Sequence, residues 1–173
     1  MIPLHYGDNK PKYIRWAIFS TLIIVSVLLQ NSVGGLFDFF GARVFLCVPF
    51  CIAIAMFERE VPAAIFGALA GALWDVSSGV DGFNTIILMA LCAVSSLLIS
   101  HLMRNNLITA LVLGAGSITA YEIIYIAVRF WGAGNPIRQI FTFYLPSLII
   151  TVIFVPVCYF IVKSIYDSNK VAE

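Results

Sequence analysis

Two acidic side chains, Asp75 and Glu122, lie within stretches of sequence that are otherwise apolar. A carboxyl group is costly to place in a membrane, so such acids face protein or water, and they mark ion paths, proton relays or ligand pockets. Arg129 follows Glu122 by seven residues and so shares its helix face, and Arg43 is predicted at the same membrane surface. We therefore predict an outer polar cluster of Asp75, Glu122, Arg43 and Arg129. This cluster has two interpretations. In the first it is a ligand pocket or a proton relay, and in the second it is a set of charges that holds helices in register.

Glycines precede and follow Asp75 at regular spacing. Gly67, Gly71, Asp75 and Gly79 are each four residues apart, and Gly82 follows them. Residues four apart lie on one face of an α-helix, and glycines on that face let a second helix approach closely in lipid. We predict a helix-packing or partner-binding surface that ends in a carboxylate and consists of Gly67, Gly71, Gly79 and Gly82.

The remaining residues that commonly carry catalysis form no recognisable motif. The sequence has no P-loop, no Gly-x-Gly-x-x-Gly segment, no His-Glu-x-x-His motif, and no Ser or Cys nucleophile beside a candidate base. All cysteines lie within apolar runs, where thiols behave as small hydrophobic groups, so we expect packing rather than a metal or redox site from Cys47, Cys51, Cys92 and Cys158. We predict no catalytic residues, no metal and no cofactor.

The composition assigns the chain to the polytopic membrane proteins. Hydrophobic residues make up 61% of the 173 positions and charged residues 11%, and the mean hydropathy is +1.00. A net charge of +1 gives no general attraction to nucleic acid, and we expect none as a partner. Apolar runs predict an all-α fold of six transmembrane helices with short loops, at residues 16–33, 44–57, 61–75, 83–102, 107–128 and 140–162.

Two of these runs, the second and the third, are short against the roughly 20 residues that a bilayer requires. We expect them to extend into Phe37, Phe39 and Phe40 on one side and into 76–78 on the other, or to form a partly re-entrant pair.

The lysines and arginines predict the orientation, because they concentrate in cytoplasmic loops. With the N-terminus inside, seven of them fall on the cytoplasmic side, namely Lys10, Lys12, Arg15, Arg59, Arg104, Lys163 and Lys170. Only three fall outside, namely Arg43, Arg129 and Arg138. We predict a single membrane domain over residues 1–173 with both termini in the cytoplasm.

These features resemble the MreD family of rod shape-determining membrane proteins over nearly the whole chain. The resemblance consists of six short-looped spans, the segment Leu29-Gln30-Asn31-Ser32 at the end of the first, and the glycine-aspartate series around the third. The chain departs from the family before its second span, where Ala42-Arg43-Val44-Phe45-Leu46 replaces a common Pro-Asp-Leu-like segment.

The resemblance implies a non-catalytic scaffold in the bacterial inner membrane that controls rod shape during cell-wall elongation. Its expected partners are an MreC-like single-span protein, membrane lipid, the cell-wall glycan polymerase and transpeptidase, and indirectly the MreB filament.

The family fold is also similar to the six-helix substrate-binding component of energy-coupling vitamin transporters, which supplies the alternative function. In that case an outward pocket would be lined by Asp75, Glu122, Trp74 and Trp131. Those subunits resemble one another in an Ala-x-x-x-Ala face on the first helix, whereas the first run here contains only Ala17. An intramembrane enzyme, the third possibility, would have to work with Asp75 and Glu122 alone.

Overall fold

The computed structural model describes residues 10–32, 45–79, 82–129 and 145–169. These residues form six α-helices, and no strand occurs among them. The helices are α1 (Lys10–Ser32), α2 (Cys47–Phe57), α3 (Glu60–Ser78), α4 (Phe83–His101), α5 (Leu107–Arg129) and α6 (Leu145–Ser168).

Five of the six helices, all except α2, are long and apolar enough to cross a membrane. The described residues are thus all-helical, as predicted, and five apolar helices of this length indicate a multi-pass membrane protein. The third run was too short to cross a bilayer, and the corresponding helix α3 extends through Ser78, as expected. The helix of the second run, α2, has only 11 residues. At 1.5 Å per residue α2 is about 16 Å long, or half of a hydrocarbon core of about 30 Å. Phe37, Phe39 and Phe40, which were expected to lengthen it, lie outside the described residues.

The sixth helix runs further than its apolar run predicted. It continues past Val162 to Ser168, and Pro146 lies in its first turn, where the missing N–H of proline costs no hydrogen bond. The added turns carry exposed polar side chains, including Lys163 and Asp167. Residues 140–144 of the predicted span lie outside the described part of the chain.

The short helix α2 is the centre of the bundle. Nine of its eleven residues are buried, and it contacts each of the other five helices. Its sequence, Cys47-Val-Pro-Phe-Cys-Ile-Ala-Ile-Ala-Met-Phe57, has no polar residue, as is typical of a helix that is covered on all sides. The five longer helices surround it in the order α1, α3, α4, α5, α6. Within this ring α3 and α4 pack most extensively, and the contacts between α4 and α5 and between α6 and α1 are slight.

All four cysteines are buried and carry free thiols. The sulfurs of Cys47 and Cys51, one turn apart on α2, are 3.9 Å from each other. Among the described residues, no group of three or more His, Cys, Asp or Glu side chains could hold a metal ion. The thiols therefore lie in the core as small apolar groups do.

Cross-helix contacts define two ends of the bundle. At one end Arg15 of α1 pairs with Glu58, and the side-chain amide of Asn105, before α5, donates a hydrogen bond to the carbonyl oxygen of Met56. We call this the basic end, because Arg59 and Arg104 also lie there, in the turns between helices. At the other end, the acidic end, the carboxylate of Asp75 receives hydrogen bonds from the start of α4.

The basic end is predicted to face the cytoplasm, and cysteine labelling in a cysteine-free background tests this orientation. We expect Arg59→Cys to react only after the membrane is permeabilised and Asn135→Cys to react in intact cells. A chain in which only Cys51, 1% exposed, is restored is the unreactive control. Reaction of positions 59 and 135 from the same side would contradict the six-span topology.

Candidate functional site

Asp75 lies at the end of α3 and binds the first turn of α4. Its Oδ1 accepts a hydrogen bond from the backbone N–H of Asn84 at 3.0 Å, and its Oδ2 accepts one from the N–H of Thr85 at 2.8 Å. The Thr85 hydroxyl donates a third bond to Oδ2, at 2.6 Å. The first N–H groups of a helix have no partner within it, and the positive end of the helix dipole favours a negative charge there. Asp75, which is only 5% exposed, therefore acts as a capping group for the neighbouring helix.

The glycines before Asp75 bring α3 into close contact with α4. A Cβ atom on Gly67 would lie 2.5 Å from the carbonyl oxygen of Leu88 and 2.9 Å from the sulfur of Cys92. A Cβ on Gly71 would lie 2.6 Å from the carbonyl oxygen of Asn84. The second helix that these glycines admit is thus α4 of the same chain. Both glycines are buried there, so their surface does not face another protein.

The other two glycines of the series are turn residues. Gly79 has φ +64° and ends α3, and Gly82 has φ +70° and directly precedes α4. Residues with side chains rarely adopt these left-handed conformations, which is why glycine suits both positions. The prediction of one continuous glycine face was therefore wrong beyond Asp75, because the left-handed Gly79 terminates the helix.

An aromatic cluster fills the space beside Asp75. The rings of Trp74 and Tyr121 stack with centroids 5.4 Å apart, and Phe45 lies 5.5 Å from Trp74 and 5.9 Å from Tyr121. The Tyr121 hydroxyl donates a hydrogen bond to Oδ1 of Asn84 at 2.7 Å. Trp74, one of the four side chains predicted to line a vitamin pocket, is thus packed within the protein, and Trp131 lies outside the described residues.

Glu122 follows Tyr121 on α5 and is only 6% exposed. Its Oε1 is buried and has no hydrogen-bond partner among the described residues. Arg43 lies outside those residues, and of Arg129 the structure describes the backbone as the last residue of α5. Pairing of Glu122 with an arginine stays a prediction. Both carboxylate oxygens of Asp75, in contrast, accept hydrogen bonds from the start of α4. The predicted outer polar cluster of Asp75, Glu122, Arg43 and Arg129 therefore stays a prediction.

A buried ion pair lies at the basic end and was not predicted. Nε of Arg15 is 2.8 Å from Oε1 of Glu58, and the two side chains are 10% and 5% exposed. The guanidinium also lies over the ring of Tyr166, 4.7 Å from its centroid, and the Ser96 hydroxyl donates to the carbonyl oxygen of Glu58 at 2.8 Å. We call Arg15, Glu58 and Tyr166 the basic-end clasp, because they join α1, the α2–α3 turn and α6.

The residues that bind Asp75 and Glu58 were not predicted from the sequence. Asn84 and Thr85 follow a Gly-Phe pair at a predicted helix start, a place where polar caps are common, so their position was the available signal. Arg15 was used only to assign the topology, and Glu58 adjoins Arg59, which was assigned to the same side of the membrane. Their predicted location on the same side of the membrane was the signal that they could meet.

A single methyl group at Gly71 is expected to destabilise the protein. In Gly71→Ala the new Cβ meets backbone atoms of α4, which cannot move as a flexible side chain would, and overpacking of this kind costs about 1 to 3 kcal/mol. Gly116→Ala is the matched control, because a Cβ at Gly116 on α5 meets no described atom within 4 Å. The measurement is the melting temperature of each purified variant in detergent. Equal melting temperatures for the two variants would show that α3 and α4 do not pack as closely as described.

Comparisons of the chain with protein-family models, with curated proteins and with solved structures found no match.

Proposed function

We propose that this protein is a non-catalytic scaffold of the bacterial cell-wall elongation machinery, of the MreD type. In this proposal it crosses the inner membrane six times, with the basic end and both termini in the cytoplasm. It binds an MreC-like single-span protein, and through that protein it is linked to the MreB filament and to the glycan polymerase and transpeptidase.

The observation that carries the proposal is the way in which Asp75 is used. Its two carboxylate oxygens receive three hydrogen bonds from Asn84 and Thr85, and the neighbouring Trp74 is stacked on Tyr121. Groups that a ligand site would offer to a substrate are here engaged in holding α3, α4 and α5 together. This favours a rigid structural role for the acidic end over a substrate pocket or a catalytic pair.

The alternative is the substrate-binding subunit of a vitamin or small-molecule transporter, and one observation favours it. Oε1 of Glu122 is buried without a hydrogen-bond partner among the described residues, and an unpaired carboxylate in a membrane bundle is a candidate ligand or proton site. The two functions differ in what the purified protein should contain.

Co-purification tests the two functions against each other. The tagged chain is expressed with the single-span MreC-like protein of the same bacterium, and the complex is isolated in mild detergent. We expect a stable complex with that partner, and rounding of rod-shaped cells when the chain is depleted. The released small molecules are identified by mass spectrometry in parallel. A vitamin in stoichiometric amount, together with normal cell shape after depletion, would contradict the scaffold.

A further inference from the structure

Four cationic side chains surround the end of the central helix α2 at the basic end of the bundle. They come from α1, from the two turns of that end and from α6, and we call them the cation patch: Lys12, Arg59, Arg104 and Lys163. Three of them are exposed, and Lys12 is half-buried.

Contacts between the two turns bring the arginines of the patch to one place. Arg59 directly follows Glu58, whose carbonyl oxygen accepts a hydrogen bond from α4. Arg104 directly precedes Asn105, whose amide donates to the carbonyl oxygen of Met56 at 2.9 Å. Both arginines therefore lie beside the last residues of α2.

The two lysines of the patch are held by aromatic rings at the same end. Nζ of Lys12 lies 4.9 Å from the ring centroid of Trp16, and Nζ of Lys163 lies 5.9 Å from that of Tyr159. The ring of Tyr159 packs in turn on Phe57, the last residue of α2, with centroids 5.6 Å apart. A cation–π contact holds an ammonium group in place without neutralising its charge.

Carboxylates of the protein do not neutralise the cation patch. Among the described residues, no member of the patch is in an ion pair, and Glu58 pairs with Arg15 instead. Two further carboxylates are described at this end, Glu60 and Asp167, and Glu60 accepts a hydrogen bond from the Ser100 hydroxyl at 3.1 Å. The four cations outnumber these two acids, so the patch has a net positive charge.

The surroundings of Lys163 indicate what the patch binds. Directly before it on α6, the apolar side chains of Val157, Phe160 and Ile161 are exposed. On a helix that crosses a membrane such side chains face acyl chains, and a lysine at their end extends its ammonium group to the level of the lipid headgroups. Unpaired cations at that level attract lipids with a net negative charge.

We propose that the cation patch binds the headgroups of anionic phospholipids. The lipid supplies the negative charge that the protein lacks at this end, and its net charge distinguishes it from a zwitterionic lipid. The inference does not depend on the proposed scaffold function, because it uses only the charges and contacts of the basic end.

Native mass spectrometry of the protein released from lipid nanodiscs tests the lipid site. The nanodiscs contain equal amounts of phosphatidylglycerol, which is anionic, and phosphatidylcholine, which is zwitterionic. Each basic residue near an anionic surface changes the affinity about fivefold, so we expect roughly five times more phosphatidylglycerol than phosphatidylcholine, or a larger excess, on the released protein. Equal retention of the two lipids would overturn the proposal.

Two neighbouring residues of opposite charge provide the matched variants. Arg59→Gln should lower the ratio of the two retained lipids, by up to about fivefold, whereas Glu60→Gln should keep or raise it. Replacement of the whole patch by glutamine, at Lys12, Arg59, Arg104 and Lys163, should bring the ratio to that of the nanodisc. An unchanged ratio in this quadruple variant, or equal losses in Arg59→Gln and Glu60→Gln, would contradict the lipid site. If the quadruple variant does not fold, the two single variants still decide.

Discussion

Asp75→Leu is expected to prevent accumulation of the folded protein. The leucine removes the acceptor of two backbone N–H groups at the start of α4 and of the Thr85 hydroxyl. Each buried group left without a partner costs about 1 to 3 kcal/mol, so the two amides alone account for about 2 to 6 kcal/mol. Soluble protein domains have free energies of unfolding of about 5 to 15 kcal/mol. On that scale the loss expected for Asp75→Leu removes a large part of the stability of the fold.

Two milder substitutions make this prediction specific. Asp75→Asn retains one oxygen acceptor and loses the charge at the helix N-terminus, so its stability should lie between those of Asp75→Leu and the wild type. Thr85→Val removes only the hydroxyl bond to the carboxylate and should cost about 1.5 to 3 kcal/mol. The measurement is the fraction of folded protein by size-exclusion chromatography after heating. A melting curve of Asp75→Leu that coincides with the wild type would exclude the capping role.

Glu58→Gln is expected to have the second large effect, because it leaves the buried guanidinium of Arg15 without its carboxylate. Removal of one partner of a buried ion pair costs about 3 to 5 kcal/mol. Replacement of both partners by uncharged residues, as in Arg15→Met with Glu58→Gln, should cost much less than the sum of the single changes. A double-mutant cycle measures the interaction energy between the two side chains, with thermal unfolding in detergent as the readout.

The control for the basic-end clasp is Arg104→Gln. Arg104 lies at the same end of the bundle but is exposed, and exposed charges contribute little to stability. Additive effects of the Arg15 and Glu58 substitutions would contradict a direct interaction between the two side chains.

The apolar runs predicted most of the fold, since five of them correspond to helices that are long enough to cross a membrane. They did not predict the central position of α2. An apolar run of moderate length is equally compatible with a short membrane span and with a buried core helix, and its periodicity cannot distinguish them. The absence of any polar residue in Cys47–Phe57 does not distinguish them either. A helix with no polar face needs protein or lipid on every side.

The sequence predicted some features of the site but not the groups that they contact. Glycine spacing indicated a close helix contact, and Gly67 and Gly71 make one, but the spacing could not tell whether the second helix belongs to the same chain. The depth of Asp75 suggested an important carboxylate. Two of its three partners are backbone N–H groups, which every residue except proline carries, so only their position at the predicted start of α4 could have indicated them.

The short central helix also has a consequence for the biogenesis of the protein. During synthesis α2 leaves the ribosome before α3, α4, α5 and α6, the four helices that cover most of its surface, have been made. With 11 apolar residues it is too short to remain across a bilayer by itself without thinning the membrane around it. We expect α2 to gain its full covering of protein only when α6, the helix that it contacts most extensively, has been inserted. Assembly of the bundle is complete only after the last helix has been synthesised.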